Sequence, residues 1–157
     1  MNYIKYLDLD VVNGPGTRCT LFVAGCELAC KGCYNRKFWQ PDTGFHFTNE
    51  VADAIIEDLN DSRIRRRGLS LLGGDPLHPA NVNDVLALVQ RVRDEAPGKD
   101  IWCWTGYTLA QLNPAQQQVV DLIDVLIDGP FEQDLADPSL KWRGSSNQVI
   151  HTLSEYN

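Results

Sequence analysis

The sequence has no long hydrophobic run and little basic charge, and each absence excludes a class of protein. None of its apolar stretches reaches the roughly 18 residues that a membrane-spanning helix needs. No apolar segment of signal-peptide type stands near its start, so secretion is not expected either. The formal net charge is -7 at pH 7, whereas a nucleic-acid-binding surface is basic. We therefore expect a cytoplasmic protein that binds neither membranes nor nucleic acid.

The sequence also lacks the even, well-spaced set of cysteines that a disulfide framework would have. The chain has five cysteines, an odd number, and three of them stand close together. This usage fits a reduced compartment and a metal site better than a disulfide framework. With 157 residues, of which 43% are hydrophobic and 22% charged, the chain is long enough for a single domain with its own core over residues 1–157.

The three close cysteines lie in one short stretch, GCELACKGCYN, at residues 25–35. Cys26, Cys30 and Cys33 have C-x3-C-x2-C spacing directly after an apolar, strand-like run at residues 20–24. Iron–sulfur clusters normally take four cysteine ligands. Three thiolates would therefore leave one iron open to a further ligand, as a catalytic zinc site keeps one position open for its substrate.

Two other interpretations of this stretch remain open from the residues alone. A structural zinc ion needs four ligands, and its fourth would have to be a histidine from elsewhere in the chain: His46, His78 or His151. A thiol-redox pair of the last two cysteines would leave the first one unexplained. The open cluster accounts for all three thiols, whereas Cys19 and Cys103 lie in apolar strand-like runs and are expected to be inert core residues.

Alternating strand-like and helical patterns predict an α/β chain. Apolar residues recur at helical spacing after Thr48, over residues 82–92, and over about 109–122, where Pro114 marks the expected true start of the helix. Strand-like runs separate these segments, at residues 3–11, 20–24, 68–72, 101–104, 124–128 and 148–153. Because strands alternate with helices, we expect mostly parallel strands. A complete eight-fold barrel usually needs about 250 residues, so this chain is too short for one.

Longer motifs resemble a known family. GPGTR at residues 14–18, followed by the cysteine stretch, resembles the signature of the radical-activating proteins of the radical S-adenosylmethionine (SAM) superfamily, which install a glycyl radical on a partner enzyme. Downstream, GGDPLHP, KDIWCWTGY, DVLIDG and WRGSSNQ are similar to the activating proteins of anaerobic (class III) ribonucleoside-triphosphate reductases. The resemblance covers nearly the whole chain.

This resemblance implies a fold, two cofactors and a reaction. The fold would be an open partial (β/α) barrel of the radical SAM type, with its sites at the carboxyl ends of the strands. Three cysteines would hold a 4Fe-4S cluster and SAM would bind its fourth iron. An electron from a donor such as flavodoxin would cleave SAM to a 5′-deoxyadenosyl radical. That radical would remove a hydrogen from a glycine of the reductase, so the activity would be that of a radical SAM oxidoreductase.

The resemblance also implies which residues contact SAM. They lie in two segments: Gly32, Cys33 and Tyr34, and Gly73, Gly74 and Asp75. The family usually has Glu where Asp75 stands. Paired glycines let a backbone approach a ligand closely and allow positive φ. No general acid or base is required, because the cofactors carry the chemistry.

Several charged residues have open roles. Arg18 would lie near the cluster if its strand runs over residues 17–24, and Arg143 would lie on a rim that faces the partner. Asp128 would lie beside SAM or the substrate peptide, or would instead cap a turn. The arginines of residues 63–67 are either a solvated helix end or a docking patch for an acidic partner.

Two alternative functions are kept open. The first is an activator of another glycyl-radical enzyme, of the formate-lyase type. The second, from a different class, is a non-catalytic interaction module that holds zinc.

Overall fold

The computed structural model describes residues 1–26 and 40–153, and these residues form one mixed sheet and three α-helices. The strands are β1 (Asn2–Asp10), β2 (Arg18–Val23), β3 (Phe45–His46), β4 (Gly68–Gly73), β5 (Asp100–Trp104), β6 (Val125–Asp128) and β7 (Val149–Thr152). The helices are α1 (Asn49–Asn60), α2 (Val82–Glu95) and α3 (Pro114–Val120).

The sheet has the strand order β3-β1-β2-β4-β5-β6-β7. Strands β2, β4, β5 and β6 are parallel, whereas β1 is antiparallel to β2 and β3, and β7 is antiparallel to β6. The expectation of mostly parallel strands is therefore wrong, since three of these six pairings are antiparallel. A parallel neighbour needs a crossover of a dozen or more residues, usually a helix, and the short loop at residues 11–17 is not long enough for one.

Helices α1 and α3 each follow a residue whose side chain caps the first turn. Thr48 accepts a hydrogen bond from the Val51 amide at 3.3 Å, and Asn113 accepts one from the Gln116 amide at 2.9 Å. Pro114 is the first residue of α3, which confirms it as the true start; residues 109–111 form a separate 3-10 turn. None of the helices in the described segments is long and apolar enough to cross a membrane.

All three helices cover the same face of the sheet. Cys19, Leu21 and Val23 of β2 point to this face and join apolar residues of β4, β5, β6 and the helices in one buried core. The alternate residues of the strands point to the opposite face, where Trp102 packs with Trp104 and others. The sheet therefore has one face committed to the core, and a second face with aromatic side chains.

Candidate functional site at the carboxyl edge of the sheet

Four loops meet at the edge of the sheet where β2, β4, β5 and β6 end. Backbone hydrogen bonds of 2.6–2.9 Å link these loops in strand order: Gly74 to Val23, Asp75 to Gly25, Thr105 to Ile127, and Gly129 to Tyr107. The expected meeting of the cysteine stretch with the segments at residues 73–75, 105–106 and 128–129 is thus observed for the described residues. This edge is where open α/β sheets ordinarily bind their ligands.

Cys26 is the predicted cluster ligand whose position the structure describes. It follows β2 at the carboxyl edge and is partly exposed. Gly25 before it has φ of +100°, a conformation that favours glycine and directs the chain out of the strand. The other predicted ligands and cofactor contacts of this stretch lie outside the described residues: Cys30, Gly32, Cys33 and Tyr34.

The two cysteines predicted to be inert lie in the core, as expected. Cys19 and Cys103 are both completely buried. Burial raises the pKa of the Cys19 thiol, and burial together with the nearby Asp75 carboxylate raises the pKa of Cys103 well above its ordinary value. A thiol that resists ionisation is a poor metal ligand, because the thiolate is the ligating form. Cys26, at the edge, is the described thiol whose position suits a metal centre.

The two glycines after β4 bring that strand against the end of β2. A Cβ at Gly73, which has φ of +128°, would collide with the backbone of Val23. A Cβ at Gly74 would lie 2.5 Å from the carbonyl oxygen and 2.8 Å from the amide nitrogen of Gly25. A side chain is therefore excluded at both positions by the packing of the backbone, whether or not a ligand also needs the space. The two glycines allow the close packing that sets the backbone position of Gly25 and, through it, of Cys26.

Asp75 braces two of the four loops. Its side chain is buried, and Oδ1 accepts hydrogen bonds from the Leu77 amide at 3.0 Å and the Thr105 hydroxyl at 2.8 Å. Its Oδ2 accepts one from the Gly106 amide at 2.9 Å. The carboxylate thus ties the end of β4 to the end of β5. Its predicted contact with SAM stays a prediction.

Asn81 is a site residue that the sequence did not reveal. It precedes α2, is completely buried, and donates from Nδ2 to the carbonyl oxygens of Ala24 at 2.7 Å and Asp75 at 2.9 Å. It therefore joins the chain just before Cys26 to the loop after β4. An asparagine before a helix ordinarily indicates an N-cap, but here the side chain makes no capping bond. No local pattern marks its actual role.

Arg18 lies at the opposite edge of the sheet from Cys26. It is the first residue of β2 and is fully buried, with Nη2 2.6 Å from Asp100 Oδ1 and Nε donating to the Ser70 hydroxyl at 2.6 Å. Its expected position near the cluster is wrong, because β2 begins at Arg18 and only its far end leads to the cysteines. The GPGTR segment thus encloses a buried ion pair.

Asp128 caps a turn on the helix-covered face. Its Oδ2 accepts a hydrogen bond from the Leu109 amide at 2.7 Å, at the start of the 3-10 turn, and its Oδ1 lies 3.0 Å from His151 Nε2. The side chain is buried. Of the two roles considered for Asp128, these contacts favour the turn cap.

Arg143 holds its own loop together. Its Nη1 donates to the carbonyl oxygen of Gln148 at 3.0 Å. The Gln148 side chain in turn accepts from the Gly144 amide at 2.8 Å and donates to the Gly129 carbonyl at 3.0 Å. These bonds attach the loop to the carboxyl end of β6. A contact of Arg143 with a partner stays a prediction.

Three tryptophans form a cluster on the face of the sheet opposite the helices. The rings of Trp104 and Trp142 each lie 5.8 Å from that of Trp102, and Trp104 Nε1 donates to the Trp142 carbonyl at 2.6 Å. Trp142 has φ of 64°, an uncommon conformation for a residue with a side chain. These contacts pack the loop at residues 142–148 on the sheet. The Trp142 indole forms an apolar wall beside β5 and β6.

Comparison with known proteins agrees with an iron–sulfur site. Residues 12–151 match the family model described as the 4Fe-4S single cluster domain. The anaerobic ribonucleoside-triphosphate reductase-activating protein of Escherichia coli (strain K12) is 66% identical over 153 residues, which are 98% of this chain and 99% of the relative. The proteins of the same name from Vibrio cholerae and Enterobacteria phage T4 are 64% and 44% identical, over 98% and 96% of this chain and 99% and 93% of their own lengths.

Proposed function

The chain belongs to the family of anaerobic ribonucleoside-triphosphate reductase-activating proteins, and from this premise we propose that it is an iron–sulfur activase that installs a glycyl radical on such a reductase. The observation that carries the proposal is the full-length match to the activating proteins together with a 4Fe-4S domain match that contains the cysteine stretch. The same matches do not favour an activator of the formate-lyase type or a zinc-bound interaction module.

The residues at the carboxyl edge fit a cluster with one open iron. Cys26 supplies a partly exposed thiol there, and Cys30 and Cys33 follow at short spacing. We infer that these three hold the cluster and that SAM occupies the fourth iron. The buried, hard-to-ionise thiols of Cys19 and Cys103 take no part.

The SAM site is inferred at the same edge. Gly73, Gly74 and Asp75 stand beside Gly25, which leads into Cys26, so a molecule bound to the cluster would meet the loop after β4. Gly32, Cys33 and Tyr34 would line the other side. In this proposal the single domain is an open partial barrel of the radical SAM type, supported by its four parallel strands with helices on one outer face.

The protein's own residues bind and orient, since the proposed cofactors supply the chemistry. When bound, the reduced cluster and SAM would yield the 5′-deoxyadenosyl radical that takes a hydrogen atom from the reductase glycine. Asn81 and Asp75 hold the loops after β2, β4 and β5 in fixed relation. Trp142 and its loop cover an apolar region beside the edge and would limit access of water. The proposed electron donor is an outside reductant such as flavodoxin.

The decisive experiment measures both halves of the reaction on anaerobically prepared protein. Iron and acid-labile sulfide are quantified first, and the protein is then mixed with SAM, a reductant and the anaerobic reductase. We expect about four irons per chain, release of 5′-deoxyadenosine, and a glycyl-radical signal in electron paramagnetic resonance. A zinc-loaded protein without sulfide would refute the proposal, and so would SAM cleavage that leaves no radical on the reductase.

Cysteine variants provide the matched control. Replacing Cys26, Cys30 or Cys33 with Ala should abolish cluster assembly and SAM cleavage, since each removes a ligand. Cys103→Ala removes a thiol of the core and should affect only packing. A Cys30→Ala protein that keeps a full cluster and cleaves SAM would contradict the ligand assignment.

A further inference from the structure

A second concave site lies at the amino edge of the sheet, opposite the cysteines. It is a cavity of about 340 Å³ formed by Thr17, Gly98 and four basic residues. Those basic residues are Arg65, Arg66, Arg67 and Lys99. This basic cavity is notable in a protein with a formal net charge of -7. Its size falls within the range of small-molecule sites, about 300–1,000 Å³.

The positive charge of the basic cavity is poorly compensated. Arg66 has a nearly buried side chain, yet two of its nitrogens donate to backbone carbonyls, of Asp8 at 2.9 Å and Ile64 at 3.1 Å. Among the described residues, the carboxylate in ion-pair range of Arg66 is Asp61, 3.8 Å away, which already binds Arg63 at 2.8 Å. A buried cation without a close counterion is costly, so an anion bound here would be stabilising.

The second carboxylate near the basic cavity is also committed. Asp100 is buried and lies 2.6 Å from Arg18 and 3.1 Å from Arg67. One carboxylate therefore faces two guanidinium groups. Burial lowers the pKa of Lys99, and the positive charges of Arg65 and Arg66 lower it further. The like charges in the cavity thus repel one another, and Asp61 and Asp100, each shared with another arginine, offset only part of them.

Hydrogen-bond donors remain for a ligand. The Lys99 ammonium has three donors, and one of them goes to the Arg66 carbonyl at 2.6 Å. The Arg65 side chain is exposed on the cavity wall and makes no hydrogen bond or ion pair with any other described residue. Thr17 adds a hydroxyl beside Arg67, whose amide donates to the Thr17 carbonyl at 2.6 Å. Guanidinium forks together with an ammonium are the donor set that recognises phosphate oxygens.

We propose that the basic cavity binds a phosphate-bearing anion, at a site separate from the radical chemistry. A phosphate group brings several charged acceptor oxygens at once, so it can meet Arg65 and Lys99 together while it offsets the charge of Arg66. A polyphosphate chain fits this donor set better than a single phosphate, because the basic groups are spread around a cavity and not around one point. Binding would stabilise the amino edge, where the Arg18–Asp100 ion pair is buried.

The test is calorimetric titration of the cluster-loaded full-length protein at low ionic strength. The probes are inorganic triphosphate, inorganic phosphate and ATP, without magnesium. We expect triphosphate to bind more tightly than phosphate, because it carries more charge. ATP that binds like triphosphate would indicate that the phosphates alone are recognised, whereas tighter binding of ATP would indicate a nucleotide as the ligand. Absence of binding by both triphosphate and ATP would overturn the proposal.

Three variants distinguish specific binding in the basic cavity from general attraction of an anion to positive charge. Arg65→Gln and Lys99→Gln should each weaken triphosphate binding about tenfold, the loss expected for one charge-assisted hydrogen bond. Lys5→Gln removes an equal charge from an exposed residue of β1 that lies outside the cavity lining, so it should change the affinity little. If Lys5→Gln weakens binding as much as the other two, the cavity is not the site. Thermal unfolding of each variant without ligand checks that Lys99→Gln still folds.

Discussion

At the residue scale, the site depends on side chains that hold loops and do not themselves react. Asp75 and Asn81 are both buried, and their side chains make hydrogen bonds that hold the loops after β2, β4 and β5 together. Each of these bonds is short, between 2.7 and 3.0 Å. Loops carry many functional groups, and they are precise only where such contacts fix them. Removing one contact should therefore disturb the proposed cluster site through the backbone.

Asn81→Ala tests this dependence. The change leaves the carbonyl oxygens of Ala24 and Asp75 buried without their shared donor, which should lower the free energy of unfolding by about 2 kcal/mol. Urea denaturation of the cluster-free protein measures the loss. Cluster reconstitution should also yield less iron per chain, since the chain that leads into Cys26 loses its anchor.

Asn83→Ala is the matched control for this variant. Asn83 is exposed on α2, only two residues away. Its replacement should change neither stability nor iron content noticeably. Equal behaviour of the two variants would mean that the Asn81 bridge has no special role.

At the scale of elements, the spacing between β2 and β4 sets the geometry of the candidate site. The two strands pair in parallel from Arg18 and Gly68 to Val23 and Gly73, and the contact continues beyond the strands through Gly74 and Gly25. Both glycines at the end of β4 face the β2 backbone at distances that leave no room for a Cβ. The motif after β4 is therefore part of the framework of the cysteine loop as well as an expected SAM contact.

Gly74→Ala should disturb the cluster and not SAM binding alone. The added Cβ would press on the backbone of Gly25, and relief of such overpacking costs roughly 1–3 kcal/mol. Because Cys26 follows Gly25 directly, we expect less iron per chain after reconstitution. SAM affinity should be measured on the fraction of the protein that contains the iron–sulfur cluster.

Gly98→Ala is a suitable comparison for Gly74→Ala. A Cβ at Gly98 meets no atom within 4 Å, so this variant carries only the strain of its positive φ of +85°. It should load iron normally. A Gly74→Ala protein with the full iron content and weakened SAM binding would show instead that the glycine serves the ligand alone.

At the scale of the whole molecule, the two edges of the sheet have different tasks. The carboxyl edge carries Cys26 and the loop at residues 73–75, whereas the amino edge carries the Arg18–Asp100 ion pair and the basic cavity. A strand of six residues such as β2 separates the two edges by about 20 Å. Changes at the amino edge should therefore act on stability and leave the radical chemistry intact.

Arg18→Met tests the separation of the two edges. Among the described residues, it leaves the buried Asp100 with the half-exposed Arg67 as its remaining ion-pair partner, and breaking a buried ion pair in this way costs about 3–5 kcal/mol. We expect a lower free energy of unfolding, while 5′-deoxyadenosine release per iron-loaded protein stays normal. Arg18→Lys keeps the charge, so its free energy of unfolding should lie between those of the unaltered protein and Arg18→Met. This variant keeps the test usable if Arg18→Met fails to fold. Loss of SAM cleavage in a folded, fully loaded Arg18→Lys protein would contradict the assignment.

The iron–sulfur character of the protein and most of its helices and strands could be predicted from local sequence patterns. Proposed ligands that come from one short stretch, such as Cys26, Cys30 and Cys33, are visible as spacing, and helix starts such as Pro114 depend on local backbone rules. Core positions such as Cys103 follow from apolar runs. The resemblance carried by these motifs led to the family that the comparisons then identified.

Local sequence patterns do not reveal which edge of the sheet each residue occupies or which distant residues meet, because both depend on tertiary contacts. Arg18 was expected beside the cluster, but the direction of β2 places it at the far edge with Asp100, a partner 82 positions along the chain. Asn81 bridges Ala24 and Asp75, and β7 returns antiparallel to β6 although the connection at residues 129–148 is long enough for a crossover. These facts depend on contacts between segments far apart in sequence, whose energies come from burial and shared hydrogen bonds that no local pattern records.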